Sequence, residues 1–261
     1  MTSSPEPVSE QAPPLTGPVL MNQRWRDLAY LHWAVDPALV AHRMPRGVRP
    51  DVRDGVTWVG LVPFTMVGAG LGRGPGVPYL GTFLETNVRL YSVDETGRRG
   101  VVFLSLDTDR LLVALAARAG FATPYRWARM RHDVTGDAAA PVHTWRTVLR
   151  DRLGRPRGAR STIRLEVGAR RPPTDLDRFV SARWGLHTRL ARRTRYVPNE
   201  HEPWPLHDAR VLDLDDGLVA SVGLGDLAAR PPDHVAFSPG VTTRFGLPTS
   251  ADRPRPRPSR D

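Results

Sequence analysis

Between Thr82 and Asp107 polar and apolar positions alternate with a period of two. Glu85, Asn87 and Arg89 fall on one side of the alternation, and Thr86, Val88 and Leu90 on the other. A strand turns successive side chains to opposite faces, so the acid, the amide and the base share one face. Such a face lines either water or an internal pocket in which these groups meet a ligand. Turn residues at Asp94 to Gly97 separate two apolar runs, which predicts an antiparallel hairpin of 83–93 with 101–106.

Other stretches are equally legible. Val56 to Val67 is a long β-type run, and Pro63 inside it implies an edge position or a bulge. Strands are predicted at 143–149, 162–167, 186–192 and 209–214. A short helix is predicted to start at Asp36, an N-cap followed by Pro37, and to stop before Pro45. Residues 111–119 are apolar almost all round and predict a buried helix. Thr174 and Asp177 have the spacing of a capping box, with Asp in the usual Glu or Gln position, for a helix to about Arg183. Regular βα alternation is missing, so the pattern predicts an α+β fold built on a curved antiparallel sheet.

Composition narrows the chemistry. All 37 basic residues are arginine, and the formal net charge is +10. Because Ile163 is the single isoleucine, the bias reads as GC-rich codon usage rather than a surface shaped for anions. A chain without lysine has no side-chain primary amine for a Schiff base. With no cysteine it has no thiol nucleophile, disulfide or thiolate metal site. No apolar run of membrane-spanning length is present, and the first residues lack the basic start and apolar core of a signal peptide, so a cytoplasmic protein is expected.

Residues 1–18 and the Arg/Pro-rich residues 250–261 are expected as disordered tails around one domain at 19–249. The basic tail suits an acidic partner or nucleic acid, but solvation is the ordinary role of such a segment. Gly70, Gly72, Gly74 and Gly76 precede no helix, so a phosphate loop is not expected; a flexible loop or a lid over a cavity is. His201 and His207 lack helical ligand spacing, because Pro203 and Pro205 intervene, and no metal is expected. A serine nucleophile has no Gly-x-Ser-x-Gly elbow, and Ser105 reads as a buried, hydrogen-bonded hydroxyl.

Glu85 and Arg89 lie four strand positions apart, roughly 13 Å between Cα atoms. Each therefore needs a partner from elsewhere. Two readings stand: an ion-pair network across the sheet, or a pocket in which a desolvated Glu85 works as general acid or base.

Several motifs carry a family resemblance. They are Leu31-His32-Trp33, Trp58 to Phe64, Phe83-x-Glu85-x-Asn87-Val88-Arg89, Phe103-x-Ser105-Leu106-Asp107, Pro124-Tyr125, Pro203-Trp204-Pro205-Leu206 and Ser238 to Val241. In order, they resemble the YqjF-type proteins, a bacterial family of largely uncharacterised function, over about residues 22 to 247. That family is similar in fold to acetoacetate decarboxylase, which implies a β-cone or barrel with a few packed helices around a pocket. In the decarboxylases a strand glutamate and a lysine after a Gly-aromatic-Pro stretch face the pocket. Glu85 stands in the glutamate's place. Gly120-Phe121 to Tyr125 corresponds to the lysine segment, with Tyr125 near the missing amine, so the imine route is closed.

The resulting expectation is a cofactor-independent protein that binds a small, anionic organic ligand. Glu85 and Tyr125 are the catalytic candidates; Asn87, Arg89, His32, Trp58 and Trp204 are the ligand-binding candidates. A lyase, hydratase or isomerase using Glu85 as acid/base, and an interaction protein acting through its tail, are the alternatives.

Overall fold

The computed structural model describes residues 3–115, 123–150, 158–190 and 193–251. Among these, thirteen strands form one sheet. They are β1 (Val19–Val35), β2 (Val48–Pro50), β3 (Thr57–Leu71), β4 (Phe83–Asp94), β5 (Arg99–Thr108), β6 (Tyr125–Asp137), β7 (Ala140–Leu149), β8 (Arg160–Arg170), β9 (Gly185–Leu190), β10 (Arg193–His201), β11 (His207–Asp216), β12 (His234–Gly246) and β13 (Thr249–Ser250). Helices α1 (Pro37–Ala41) and α2 (Asp175–Ser181) pack against them, with short helical turns at Ala220–Leu224 and Leu227–Ala229.

The sheet curls into a ring. Pairing runs from β5 through β6, β7, β8, β11, β12, β1 and β3 to β4, and β4 pairs back onto β5. A second circuit leaves β5 through β9 and β10 and rejoins at β12. The segment β12-β1-β3-β4-β5 is common to both, so its two faces look into different interiors. Strand parity decides what each interior receives. Ala29, Leu31, Trp33, Val59, Leu61, Val88 and Leu90 turn to the larger circuit, where Trp145, Ile163, Leu165 and Phe237 complete a solid apolar core. The alternate positions, among them Leu28, Val62, Phe64, Glu85, Asn87 and Arg89, turn to the smaller circuit and line a cavity.

One bulge shapes the shared segment. Between the pairs Arg26–Thr65 and Leu31–Leu61, β1 spends one residue more than β3. Asp27 takes a φ of 50° at this level. Pro63 of β3 and Pro239 of β12 flank it, where a missing N–H costs no ladder bond. Gly240 beside them has a φ of 119°, and a Cβ there would lie 1.8 Å from the Trp25 carbonyl oxygen. The proline inside the β3 run thus marks a bulge. A second bulge, at Leu104, lets Phe103 pair with Arg89 while Ser105 pairs with Val88.

Both caps read from the sequence form. Asp36 accepts from the Ala38 N–H ahead of Pro37. Thr174 and Asp177 make the reciprocal capping box of α2. Residues of the opening segment touch the body: Ser9 O accepts from Trp184 Nε1 at 3.0 Å, Glu10 pairs with Arg178, and Val8 packs against the apolar cluster that holds Trp58 and Tyr91. Other expectations need correction. The helix expected to be buried begins at 111, but Leu111, Leu112 and Leu115 are exposed, and its residues 116–119 lie outside those described. Ser105 is buried as expected, yet its Oγ has no hydrogen-bond partner among the described residues, because the Leu104 bulge turns it to the apolar face. The Arg/Pro repeat at 252–261 also lies outside the described residues, whereas Thr249 and Ser250 form an edge strand on β10. No helix among the described residues is long and apolar enough to cross a membrane.

Candidate functional site

The smaller circuit encloses a cavity of about 370 Å³. Every one of its strands contributes: Trp25 from β1, Val62 and Phe64 from β3, Glu85 from β4, Phe103 from β5, Leu186 from β9, Val197 from β10 and Phe245 from β12. The walls are mostly apolar, and the polar groups concentrate on β4. The Gly70 to Gly76 loop contributes Gly70 and Leu71 to the rim, with Val77 and Leu80 following.

Glu85 is 3 % exposed. Tyr125, the first residue of β6, donates its hydroxyl to Glu85 Oε2 at 2.9 Å. Burial pushes the Glu85 carboxyl up to about 8, against the opposing pull of Tyr125 and Asn87, and the Asp107 charge adds to the rise. At neutral pH Glu85 is therefore a carboxylic acid with a proton to donate. Burial, reinforced by the Glu85 carboxyl, holds the Tyr125 phenol well above its ordinary value. Asp107, on the opposite face of the same hairpin, is clamped by the buried Arg126 guanidinium.

Asn87 and Arg89 follow along the face. The Asn87 Oδ1 and Arg89 Nη2 atoms are buried without hydrogen-bond partners among the described residues. With Glu85 protonated, the Arg89 cation is the charge that this polar row presents to the cavity.

Arg89 is anchored from behind by a chain of hydrogen bonds. Its Nε donates to Tyr91 Oη at 3.1 Å. Tyr91 Oη lies 2.5 Å from His32 Nε2, His32 Nδ1 lies 3.0 Å from His234 Nδ1, and His234 Nε2 lies 2.8 Å from Asp177 Oδ1. Burial, with His234 and Arg89 nearby, holds His32 well below the usual histidine range. Burial works against the Asp177 charge, but His234, Arg171 and Thr174 together hold its carboxyl well below the ordinary value.

The residues named from sequence divide accordingly. Glu85, Asn87, Arg89 and Tyr125 line the cavity; His32, Trp58 and Trp204 are not among its lining residues. His32 and Trp58 do face the same side of the sheet, but α2 covers that end, and Phe179 and Val180 pack on Trp58 and Tyr91. Trp204 stacks at 5.7 Å behind Trp25, which takes the place in the wall. Tyr91 and His234 went unread, and Asp177 was read only as part of a helix cap. Tyr91 continues the Glu85, Asn87, Arg89 alternation and was within reach of that signal; the other two meet it only through the fold. Among the described residues no group of three or more His, Asp or Glu side chains is placed to hold a metal.

The ring-like curved sheet is an acetoacetate decarboxylase-like fold. The chain matches an acetoacetate decarboxylase-like enzyme from Sphingomonas wittichii RW1 at a TM-score of 0.61 and 13% identity, over 90% of this chain and 93% of that one. The enduracididine biosynthesis enzyme MppR complexed with pyruvate matches at 0.58 and 14%, over 91% and 92%. Within that fold the chain belongs to the DUF2071 family of uncharacterized conserved proteins, whose model matches residues 22–242. The uncharacterized protein YqjF of Bacillus subtilis (strain 168) is 30% identical over 190 residues, 73% of this chain and 76% of that protein.

Proposed function

We infer that the protein binds a small organic acid with an apolar body, its carboxylate at Arg89 and its hydrocarbon part against Phe64, Phe103 and Phe245. The observation that carries this reading is the pairing of a raised Glu85 pKa with an Arg89 guanidinium on one cavity face. A neutral Glu85 does not repel an incoming anion, and Arg89 supplies bidentate, charge-assisted hydrogen bonds. The similar enzyme MppR has been seen with pyruvate, which accords with a small-acid ligand in this fold. Native mass spectrometry of the purified protein should reveal a bound acid that is lost in Arg89→Ala. An empty wild-type cavity that takes up no carboxylate in calorimetric titration sinks the reading.

A second reading rests on the contact between Glu85 and Tyr125. A carboxyl with a pKa of about 8, hydrogen-bonded to a phenol, is poised to give or take a proton near neutral pH. On that reading the protein is a cofactor-independent lyase, hydratase or isomerase, and the imine route stays closed because the chain has no lysine. Turnover of the bound acid, followed by NMR and abolished in Glu85→Gln, separates the enzyme from the binding protein.

A further inference from the structure

The cavity is polar at one end and apolar at the other. Arg89, half-buried, lines it at the level of Gly60 and His32. Phe83 lines it six positions away along β4, at a distance of roughly 20 Å. On β3, Val62, Phe64 and Met66 line the length between them, facing Asn87, Glu85 and Phe83 in turn. Beyond Phe83 the cavity opens to solvent. Three of its lining residues are exposed, and all three are aliphatic: Leu71 at 75 %, Val77 at 43 % and Leu112 at 60 %. Tyr79 and Leu111, also exposed, extend this apolar rim. The two segments that carry it meet, since the Arg110 guanidinium lies over the Tyr79 ring at 4.8 Å. Large apolar side chains exposed singly are ordinary, but several gathered around one opening mark a place where something apolar sits.

A compact acid held at Arg89 would leave the outer half of the cavity and its rim uncovered. A hydrocarbon chain running from Arg89 to the rim covers both. Single bonds of about 1.5 Å advance an extended chain by roughly 1.3 Å per carbon, so about a dozen carbons or more span the distance. We propose that the ligand is a long-chain fatty acid, bound with its carboxylate at Arg89, its chain along Val62, Phe64 and Met66, and its methyl end between Leu71, Val77 and Leu112. The inference rests on the organic-acid reading above and specifies the hydrocarbon part. The reverse orientation would set hydrocarbon against the row of Glu85, Asn87 and Arg89 and is disfavoured by its polarity.

Calorimetric titration of the full chain with hexanoate, octanoate, decanoate and dodecanoate, each below its micelle concentration, tests the assignment. Affinity should rise about threefold to fourfold with each added methylene through the series. Leu71→Gln and Leu112→Gln, both at exposed positions, should each weaken dodecanoate about fivefold and leave hexanoate, which is too short to reach the rim, unchanged. Arg89→Ala should weaken both acids alike, with Arg89→Met in its place if thermal unfolding shows that the alanine variant does not fold. Affinity that levels off at hexanoate, or dodecanoate binding untouched by both glutamine variants, overturns the long-chain assignment and leaves the organic-acid reading standing. Rim variants that weaken hexanoate as much as dodecanoate overturn the orientation, because they place the carboxylate at the opening. Failure of every acid in the series overturns the assignment together with the organic-acid reading.

Discussion

Tyr91 and His32 form the central link of a buried chain whose direction is fixed from both ends. Arg89 Nε can only donate, so Tyr91 Oη accepts from it and turns its own hydrogen to His32 Nε2, 2.5 Å away. His32 must then carry its proton on Nδ1, His234 must accept on Nδ1, and the Nε2–H of His234 meets the Asp177 carboxylate. His32, which burial holds well below the usual histidine range, is kept in one tautomer, and the row runs from a cation at the cavity to an anion on α2.

Tyr91→Phe keeps the ring and removes the link. Arg89 Nε and His32 Nε2 are then buried without partners, which costs about 1–3 kcal/mol of stability in urea unfolding. Arg89 also loses its anchor, so affinity for a carboxylate ligand should fall. Nitrogen NMR of the wild type should show His32 protonated at Nδ1 and His234 at Nε2. The opposite tautomers, or an unchanged unfolding midpoint in the variant, would refute the ordering.

Glu85 makes stability fall as pH rises. In the unfolded chain its carboxyl ionises near the ordinary 4.5, while the folded protein keeps the proton to about 8. Between those values the folded state binds more protons than the unfolded one, so this group's contribution declines across the window and levels off above it. Glu85→Gln should remove that decline, leaving the variant more stable than wild type near pH 8.5 by on the order of a few kcal/mol. Parallel pH profiles for the two proteins would show that Glu85 is not held protonated.

The sequence and the structure agree where the signal is local. The alternation through Glu85, Asn87 and Arg89, the hairpin to Asp107 and the caps at Asp36 and Thr174 depend on neighbours in the chain, and they form as read. β1 escaped notice because its bulge at Asp27 shifts the period midway through. The site was legible to the same depth. His32 and Trp58, named as ligand-binding candidates, lie on the cavity's side of the sheet, but α2 covers that end, and no local pattern in the chain announces what lies above a face. His234 and Asp177 lie far from Arg89 in sequence, and only ring closure brings them to one chain of hydrogen bonds.

Gly60 is where that chain depends on a missing side chain. It pairs with His32 on one side and Arg89 on the other, and a Cβ there would lie 3.0 Å from the His32 ring and 3.2 Å from Arg89 Cγ. Both side chains are pinned by hydrogen bonds, so neither yields freely. Gly60→Ala should therefore cost about 1–3 kcal/mol through overpacking and weaken carboxylate binding, although residue 60 touches no ligand. Calorimetric titration beside urea unfolding measures both effects. A variant with wild-type affinity would mean that the row has slack.

Asp177 serves three partners, and Thr174 only its own helix. Thr174 Oγ1 caps α2 by accepting from Asp177 N at 3.1 Å, so Thr174→Ala should cost about 1 kcal/mol, as cap removal commonly does. The Asp177 carboxylate also takes two hydrogen bonds from Arg171 and ends the histidine chain. Asp177→Asn removes one of the two carboxylates that offset the half-buried Arg171, Asp208 being the other, and presents an amide where acceptors are needed, so its cost should exceed that of the cap, at about 2–3 kcal/mol. The two variants also differ in reach. The threonine change should leave the tautomers of His32 and His234 intact, whereas the aspartate change should let His234 turn or switch tautomer and release Arg89 at the far end. Equal losses of stability, with identical histidine spectra, would show that Asp177 acts only as a helix cap and that the row from cavity to helix is no unit.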